Sequence, residues 1–386
     1  MSLQKHAGAV YLFSKLLKFA DWLQQLPRKI IPPPFRLIQI GSAFWQSRAL
    51  YVAVRLDIAT TLANQALAAE VLAARVSAQT DAVYRLLRML AALGIFEEIS
   101  PRIFKNNALS NYLREDHPNN VRAMILMHNA PEMSRPWFEQ LEPSIRTGNI
   151  PFESVHGNEL YAHMDRNTEF DALFARAMDS VEALTGDSYA RDFAWERFER
   201  VIDVGGSKGS KALTLLKLHP HLSAVVFDRP QVIDTAADHW AIHAAPQLLD
   251  RVSFVAGNLL EWAPAAKNGK DIYLLSAVLH GMDQQNCVRT LRNLAAAIGD
   301  TGAVIAIMEL AMPDSPADFA SAAFDMQMFM ATQGRERTLS EWHQLFALAG
   351  LALHEQVNLR AMGKILVVMP NVGLKFGRRT VAVINY

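Results

Sequence analysis

The chain carries one cysteine, Cys287, in 386 residues. That excludes an intrachain disulfide and a cysteine-rich metal site, and it fits a reducing, cytoplasmic setting. Net charge is absent as well, because 38 Lys and Arg balance 38 Asp and Glu. No overall basic field is present to draw nucleic acid. No uninterrupted apolar run reaches the length of a membrane span. Residues 7–25 come nearest, but Lys15, Lys18 and Asp21 interrupt them and Arg28-Lys29 follow. A secretory signal needs a cleaner apolar stretch after its basic end. An amphipathic helix fits better, as an arm packed on a partner subunit or on its own domain. Attachment to a membrane surface is the lesser alternative. Internal repeats, low-complexity tracts and metal-ligand spacings are missing too, so no metal is implied. His219 and His221 flank Pro220 and read as a surface loop.

Two complete glycine fingerprints are also lacking. The dinucleotide form needs Gly-x-Gly-x-x-Gly, but the glycines fall at 205, 206 and 209, with Ser207 and Ser210 between and after them. The phosphate-binding loop needs Gly-Lys-Ser/Thr at its end, which does not occur there. What stands instead is Val201-Ile202-Asp203-Val204-Gly205-Gly206-Ser207-Lys208-Gly209-Ser210, followed by apolar Ala212, Leu213, Leu215 and Leu216. That is strand, tight turn and helix. Glycines admit a ligand close to the backbone, and a helix N-terminus offers unpaired N–H groups to an anionic end. The Asp-x-Gly-Gly form resembles the first motif of class I S-adenosylmethionine methyltransferases. A plain strand-to-helix turn is the alternative.

The chain is long enough for two domains, and half of it (51%) is hydrophobic. Pro32-Pro33-Pro34 breaks an N-terminal arm, residues 1–43, from the helical region after it. Residues 44–185 read as mainly helical. Thr80 is placed to cap a helix with Val83, Leu86, Leu87 and Leu90 on one face, and Gly94 to end it. Ile95–Ile99, a Ser100-Pro101 turn and Ile103–Lys105 then form a small hairpin, giving a winged-helix shape. Arg85 and Arg88 raise DNA binding as a reading. Against it, basic residues are not concentrated here, and solvated surface accounts for them. Residues 186–370 alternate strand and helix, with strands at Val201–Val204, Ala224–Phe227, Val252–Val255, Ile272–Leu275, Val304–Met308 and Ile365–Met369. This α/β pattern predicts a parallel, doubly wound, Rossmann-like sheet with its ligand at the C-terminal strand edge. Residues 371–386 form a tail with no assignment.

The ends of those strands carry the polar residues. Asp228 ends the second and is placed to accept both ribose hydroxyls of a nucleoside, or to cap the next helix. Asn258 and Leu259 follow the third, for an adenine edge and face or for simple turn chemistry. His280 closes the fourth, where its ordinary pKa of about 6.5 suits a general base. Glu309 closes the fifth, and Glu336 lies in Gly334-Arg335-Glu336-Arg337-Thr338. A carboxylate on the far imidazole N–H would orient such a base; an ion pair of Glu336 with Arg335 or Arg337 is the plainer reading. Met127, Trp137, Phe174, Met178, Met326, Met328 and Phe329 suit a flat apolar ligand held between the domains. At helical spacing they equally suit plain core.

In this order the motifs resemble the small-molecule O-methyltransferases of the caffeic acid and hydroxyindole type. The resemblance runs from about Arg48 to Pro370. It rests on Asp203-Val204-Gly205-Gly206 with Gly209, Phe227-Asp228-Arg229-Pro230, Gly257-Asn258, Val278-Leu279-His280 and Gly334–Thr338. Ala82–Arg88 and Leu93–Phe96 resemble the dimerisation module. It implies a winged-helix dimerisation domain and a homodimer. It further implies an S-adenosylmethionine-binding domain that forms S-adenosylhomocysteine, and methylation of a hydroxyl on a small, aromatic secondary metabolite. His280 would be the base, with Glu309 and Glu336 beside it. Asp203, Gly205, Gly206, Gly209, Asp228, Asn258, Leu259 and Ser276 would face the cofactor. The chain departs from the family at Ser207, usually Gly, at Asn258, usually Asp, and at Ser276, often Lys. Gly281-Met282 replace the usual Asp-Trp after the histidine. Non-methylating chemistry on the same fold and a non-catalytic dimeric binding protein are the alternatives.

Overall fold

The computed structural model describes residues 2–361 and 363–371, apart from the side chains of residues 21 and 24–29. The tail assigned no role lies outside them from residue 372 on. The chain divides into two compact units, Ser14–Gly186 and Met1–Phe13 with Asp187–Tyr386. The segment expected to form one arm is thus shared between them. Its beginning is fixed to the second unit by Leu3, which is buried in that unit's core, and by the Lys5 N–H on the Asp192 carbonyl. The proline run breaks the helix as expected. It also opens the next one, because the Pro33–Gly41 helix starts on prolines, whose missing N–H costs nothing in a first turn.

The unit Ser14–Gly186 is helical around a small antiparallel sheet of β1 (Leu67–Ala68), β2 (Phe96–Ser100) and β3 (Ile103–Asn106), in the order β1-β3-β2. The helix Thr80–Ala92 buries Val83, Leu87 and Leu90, three of the four expected apolar positions. Its cap is Gln79, not Thr80. The Gln79 side chain accepts the Ala82 N–H at 2.6 Å, and Thr80 is already helical. Gly94 takes φ +76 just past the helix end. Arg85 and Arg88 are exposed, and Arg88 lies over the Tyr84 ring.

The other unit is built on β4 (Arg200–Val204), β5 (Ser223–Asp228), β6 (Val252–Ala256), β7 (Asp271–Ser276), β8 (Val304–Glu309), β9 (Ala311–Met312), β10 (Arg337–Thr338), β11 (Leu351–Asn358) and β12 (Lys364–Pro370). Its main sheet has the order β11-β12-β8-β7-β4-β5-β6. Strands β4 to β8 are parallel, as expected. The last expected strand is not: β12 runs antiparallel to β8 and to β11. Alternate residues face opposite sides. Val201, Val226, Ile272 and Leu274 pack with Trp240 and the Ser210–Leu218 helix on one side. Ile202, Phe227, Tyr273 and Leu275 pack with Cys287, Leu291 and Trp342 on the other. Each such side chain contributes about 1.5–3 kcal/mol by burial. Two apolar layers thus clamp the sheet and leave its C-terminal edge to carry polar groups. β4 has β5 on one side and β7 on the other, so the connections change direction there, and a ligand crevice forms at such a point.

Candidate active site

The glycine turn leaves β4 at this switch point. Gly205 and Gly209 adopt φ +67 and +77, which L side chains rarely do. There is no room for side chains either. A Cβ on Gly206 would meet the Asp203 carboxyl carbon at 2.6 Å, and one on Gly209 would meet Val226 at 2.7 Å. Ser207 holds the left-handed φ of +52 where a glycine is usual. Its N–H is fixed by the Asp228 carboxylate at 2.8 Å. The other Asp228 oxygen takes the Arg229 N–H at 2.7 Å. Asp228 does not cap the following helix, whose N-cap is Arg229 with no side-chain bond. Instead it stands at the glycine turn, partly exposed. The donor set therefore fits a nucleoside cofactor. A glycine turn opens a helix of full length, and an accessible carboxylate lies on the neighbouring strand end.

Asn258 behaves as a turn residue. Its Oδ1 accepts the Leu260 N–H at 3.0 Å and its Nδ2 donates to Glu261 at 3.1 Å. Leu259 packs against the core under the sheet. Trp262, not singled out in the sequence, stacks edge-on to Phe227 with ring centres 5.0 Å apart, on the same rim and half-exposed. Ser276 ends β7, and Ala277 turns left-handed at φ +53 directly before the histidine segment.

His280 sits in the short Leu279–Gly281 turn after β7. Its Nδ1 meets Glu336 Oε1 at 2.7 Å and Glu309 Oε2 at 3.7 Å. Both carboxylates are buried, Glu336 completely. Glu309 Oε1 accepts the Val278 and Leu279 N–H groups, each at 2.9 Å. So Glu309 fixes the backbone that carries the imidazole, and Glu336 fixes the imidazole itself. Burial pulls the His280 pKa down, but the two carboxylates outweigh it and raise it to about 9. Burial pushes the Glu309 carboxyl up as well. Polar atoms of the three lie within 4.8 Å of one another, a grouping that linear spacing does not reveal.

The ion-pair alternative for Glu336 is not what forms. Arg335 pairs with Glu341 at 2.7 Å, and Arg337 turns inward. The approach of Glu336 depends on Gly334, where a Cβ would lie 1.8 Å from the His280 carbonyl oxygen. Thr332 Oγ1 accepts the Gly334 N–H at 3.1 Å, and Asp325 accepts the Glu336 N–H at 2.8 Å. Phe324 lies 6.0 Å from the His280 ring, centre to centre. Sequence reasoning missed Phe324 and Asp325, although both immediately precede the methionine-rich stretch that begins at Met326.

Met326, Met328 and Phe329 are half-buried on the same Phe319–Ala331 helix. Met328, four residues after Phe324, shares its face, whereas Met326 does not. Met127, Trp137, Phe174 and Met178 belong to the other unit. Met127 is buried core at 3% exposure, on a helix packed against Thr168–Thr185. Trp137 is partly buried in a π-helical turn, Phe174 packs on Phe170, and Met178 is exposed.

A sheet of this order with a glycine turn after its first strand defines a class I methyltransferase. The family model of the O-methyltransferase domain matches residues 138–352, and that of the O-methyltransferase dimerisation domain matches 38–116. The chain belongs to this O-methyltransferase family and is a methyltransferase enzyme. It is 30% identical to the phenazine O-methyltransferase PhzM of Lysobacter antibioticus over 337 residues, 87% of this chain and 96% of the relative. It is 31% identical to the mitomycin biosynthesis 6-O-methyltransferase of Streptomyces lavendulae over 81% of this chain and 87% of the relative. The solved structure of CalO1, a methyltransferase in calicheamicin biosynthesis in its SAH-bound form, superposes with a TM-score of 0.76 at 28% identity. That match covers 87% of this chain and 98% of the other.

Proposed function

We propose that this enzyme methylates a hydroxyl group of a small aromatic secondary metabolite, with His280 as the general base. The cofactor is S-adenosylmethionine, as in the family, and the named relatives act on phenazine and mitomycin compounds. When bound, it supplies an electrophilic methyl group whose former sulfur partner keeps the bonding pair. Asp203, Gly205, Gly206, Gly209 and Asp228 hold it, with Asn258, Leu259 and Ser276 on the same rim.

One observation carries the base assignment. His280 Nδ1 is 2.7 Å from the buried Glu336 carboxylate, at the C-terminal strand edge that bears the glycine turn. Nδ1–H donates to Glu336, which leaves Nε2 as the atom with a free lone pair. Nε2 takes the hydroxyl proton, and the oxygen attacks the methyl carbon. Glu336 then stabilises the imidazolium that forms, and Glu309 keeps the Val278-Leu279 backbone from shifting. Phe324, 6.0 Å from the His280 ring, and Met328 on the same helix face line the acceptor side.

The dimerisation domain supports a homodimer built through the N-terminal unit. The buried thiol of Cys287 fits a reducing cytoplasm. No nucleic acid or membrane partner enters this reading.

The test is His280→Ala. Binding of S-adenosylhomocysteine, measured by calorimetry, stays near wild type. The methyl-transfer kcat falls by about 10²–10⁴-fold on a phenolic acceptor. Unchanged kcat removes the base role; a nitrogen acceptor without a proton to lose would give that result.

A further inference from the structure

Arg337 is one residue from Glu336 and points the opposite way. It is 4% exposed, the buried cation among the described residues. It forms no ion pair with a described carboxylate. Its Nη1 donates to the Leu279 carbonyl at 3.3 Å and to the Arg335 carbonyl at 3.4 Å, and its Nη2 to Cys287 Sγ at 3.4 Å. The guanidinium carbon lies 5.3 Å from the ring centre of the fully buried Trp342. Cys287 Sγ in turn donates to the same Leu279 carbonyl at 3.2 Å. Leu279 is therefore held at both ends, its N–H by Glu309 and its C=O by Arg337 and Cys287. Its carbonyl belongs to the peptide that leads into His280.

The same geometry sets the charge. A guanidinium without a paired carboxylate is costly at this depth unless charge nearby offsets it. Around the guanidinium stand two carbonyls, the Cys287 sulfur and the face of the Trp342 ring. β10, which begins at Arg337, pairs with β9 just beyond Glu309, with Arg337 opposite Ala311, so the carrier segments of all three charges are joined. The groups around His280 are then Glu309 from β8, and Glu336 with Arg337 from the segment entering β10. Phe324 and Asp325 come from the Phe319–Ala331 helix, and Cys287 with the cap residue Asp283 from the Gln284–Ile298 helix.

We propose that Arg337 is a positioning residue for the methyl-transfer base: with Cys287 it holds the Leu279 carbonyl, and so fixes the Leu279–Gly281 turn that carries His280. Its field lowers the His280 pKa against the carboxylates that raise it. The proposal rests on His280 being the base. The surrounding bonds also explain why arginine is required. Only a planar fork reaches a carbonyl and a sulfur while stacking on an indole.

The test compares Arg337→Met, Arg337→Lys and Cys287→Ala. The His280 imidazole is titrated by NMR in the ligand-free protein, and kcat/KM is followed against pH. In R337M His280 titrates at higher pH than in wild type. Its kcat at pH 7 falls by about tenfold or more and recovers in part toward pH 10, with KM little changed. R337K keeps the wild-type titration but loses kcat at all pH values, because the charge is retained and the fork is not. C287A keeps the titration. A folded R337M with wild-type kcat and an unmoved His280 titration overturns the proposal. If R337M does not fold, R337K decides, and wild-type kcat in R337K overturns it. Should His280→Ala retain activity while R337M still moves the titration, the base reading fails and the charge role of Arg337 stands.

Discussion

At the scale of single residues, two glycines beside His280 make opposite demands. A Cβ on Gly334 would meet the His280 carbonyl oxygen at 1.8 Å, while one on Gly281 meets nothing within 4 Å. Gly334→Ala therefore forces the turn away from His280, destabilises by about 1–3 kcal/mol, and separates Glu336 from the imidazole. Gly281→Ala leaves the melting temperature in place. Thermal unfolding of the two variants checks the contrast, and equal losses would refute it. The pH response belongs to this scale too. His280 is raised to about 9. The base form appears only as pH rises through that value, so kcat/KM of the free enzyme climbs up to about 9. Glu336→Gln removes part of the hold on the proton, so the limb moves to lower pH while kcat drops. A limb that stays in place or moves up contradicts the pairing. Because the folded value lies above the ordinary one, the stability His280 adds is complete below its unfolded pKa of about 6.5. It is lost as pH rises through about 9. His280, Glu309 and Glu336 were legible in the sequence because strand ends and one short motif place them. Phe324, Asp325 and Arg337 were not. Their contacts exist only once the Thr332–Glu336 turn closes onto His280, which no spacing encodes.

At the scale of elements, the glycine turn is held from beneath by a tryptophan. Trp240 is fully buried, and its indole N–H donates to the Lys208 carbonyl at 2.9 Å. Gly209 lies against it, with φ +77 and only 2.9 Å from a would-be Cβ to the indole nitrogen. Gly209→Ala combines backbone strain of about 1–2 kcal/mol with that clash. It lowers the melting temperature and weakens S-adenosylhomocysteine binding by about tenfold. Calorimetry showing wild-type affinity would detach this turn from cofactor binding. The parallel strands β4 to β8 could be read from apolar runs that end in polar residues. The reversed direction of β12 could not, because an apolar run has no direction. β11 was the missing clue. Its sequence Leu-Ala-Leu-His-Glu-Gln-Val-Asn alternates poorly, and its burial is correspondingly patchy. Once β11 is known, the short link from Asn358 to Lys364 requires an antiparallel pair, since a parallel return needs a long crossover.

At the scale of the whole molecule, the N-terminal helices leave a large apolar surface. Leu12, Leu16 and Phe19 on the first helix are exposed, as are Phe35, Leu37, Ile38 and Ile40 on the second and Trp45 on the third. Leu37 is exposed to 69%. Scattered apolar residues on a surface need no explanation, but a continuous series on consecutive helices does. No helix among the described residues is long and apolar enough to cross a membrane. The dimerisation-domain match begins at residue 38, within the second of these helices. The apolar series thus runs into the segment that the dimerisation-domain model matches, which favours a second copy of the chain as its occupant. The expected oligomer is a dimer by light scattering. Replacing Leu37 and Ile40 together with Glu puts two charges into that interface and weakens the dimer by about 30-fold or more, as for central interface residues. Leu16→Glu with Phe19→Glu tests whether the first helix shares in it, and a measurable weakening is expected there too. If both pairs leave the dimer intact on dilution while folding is unchanged, the apolar face serves another partner, and the dimer must form through the rest of the 38–116 segment.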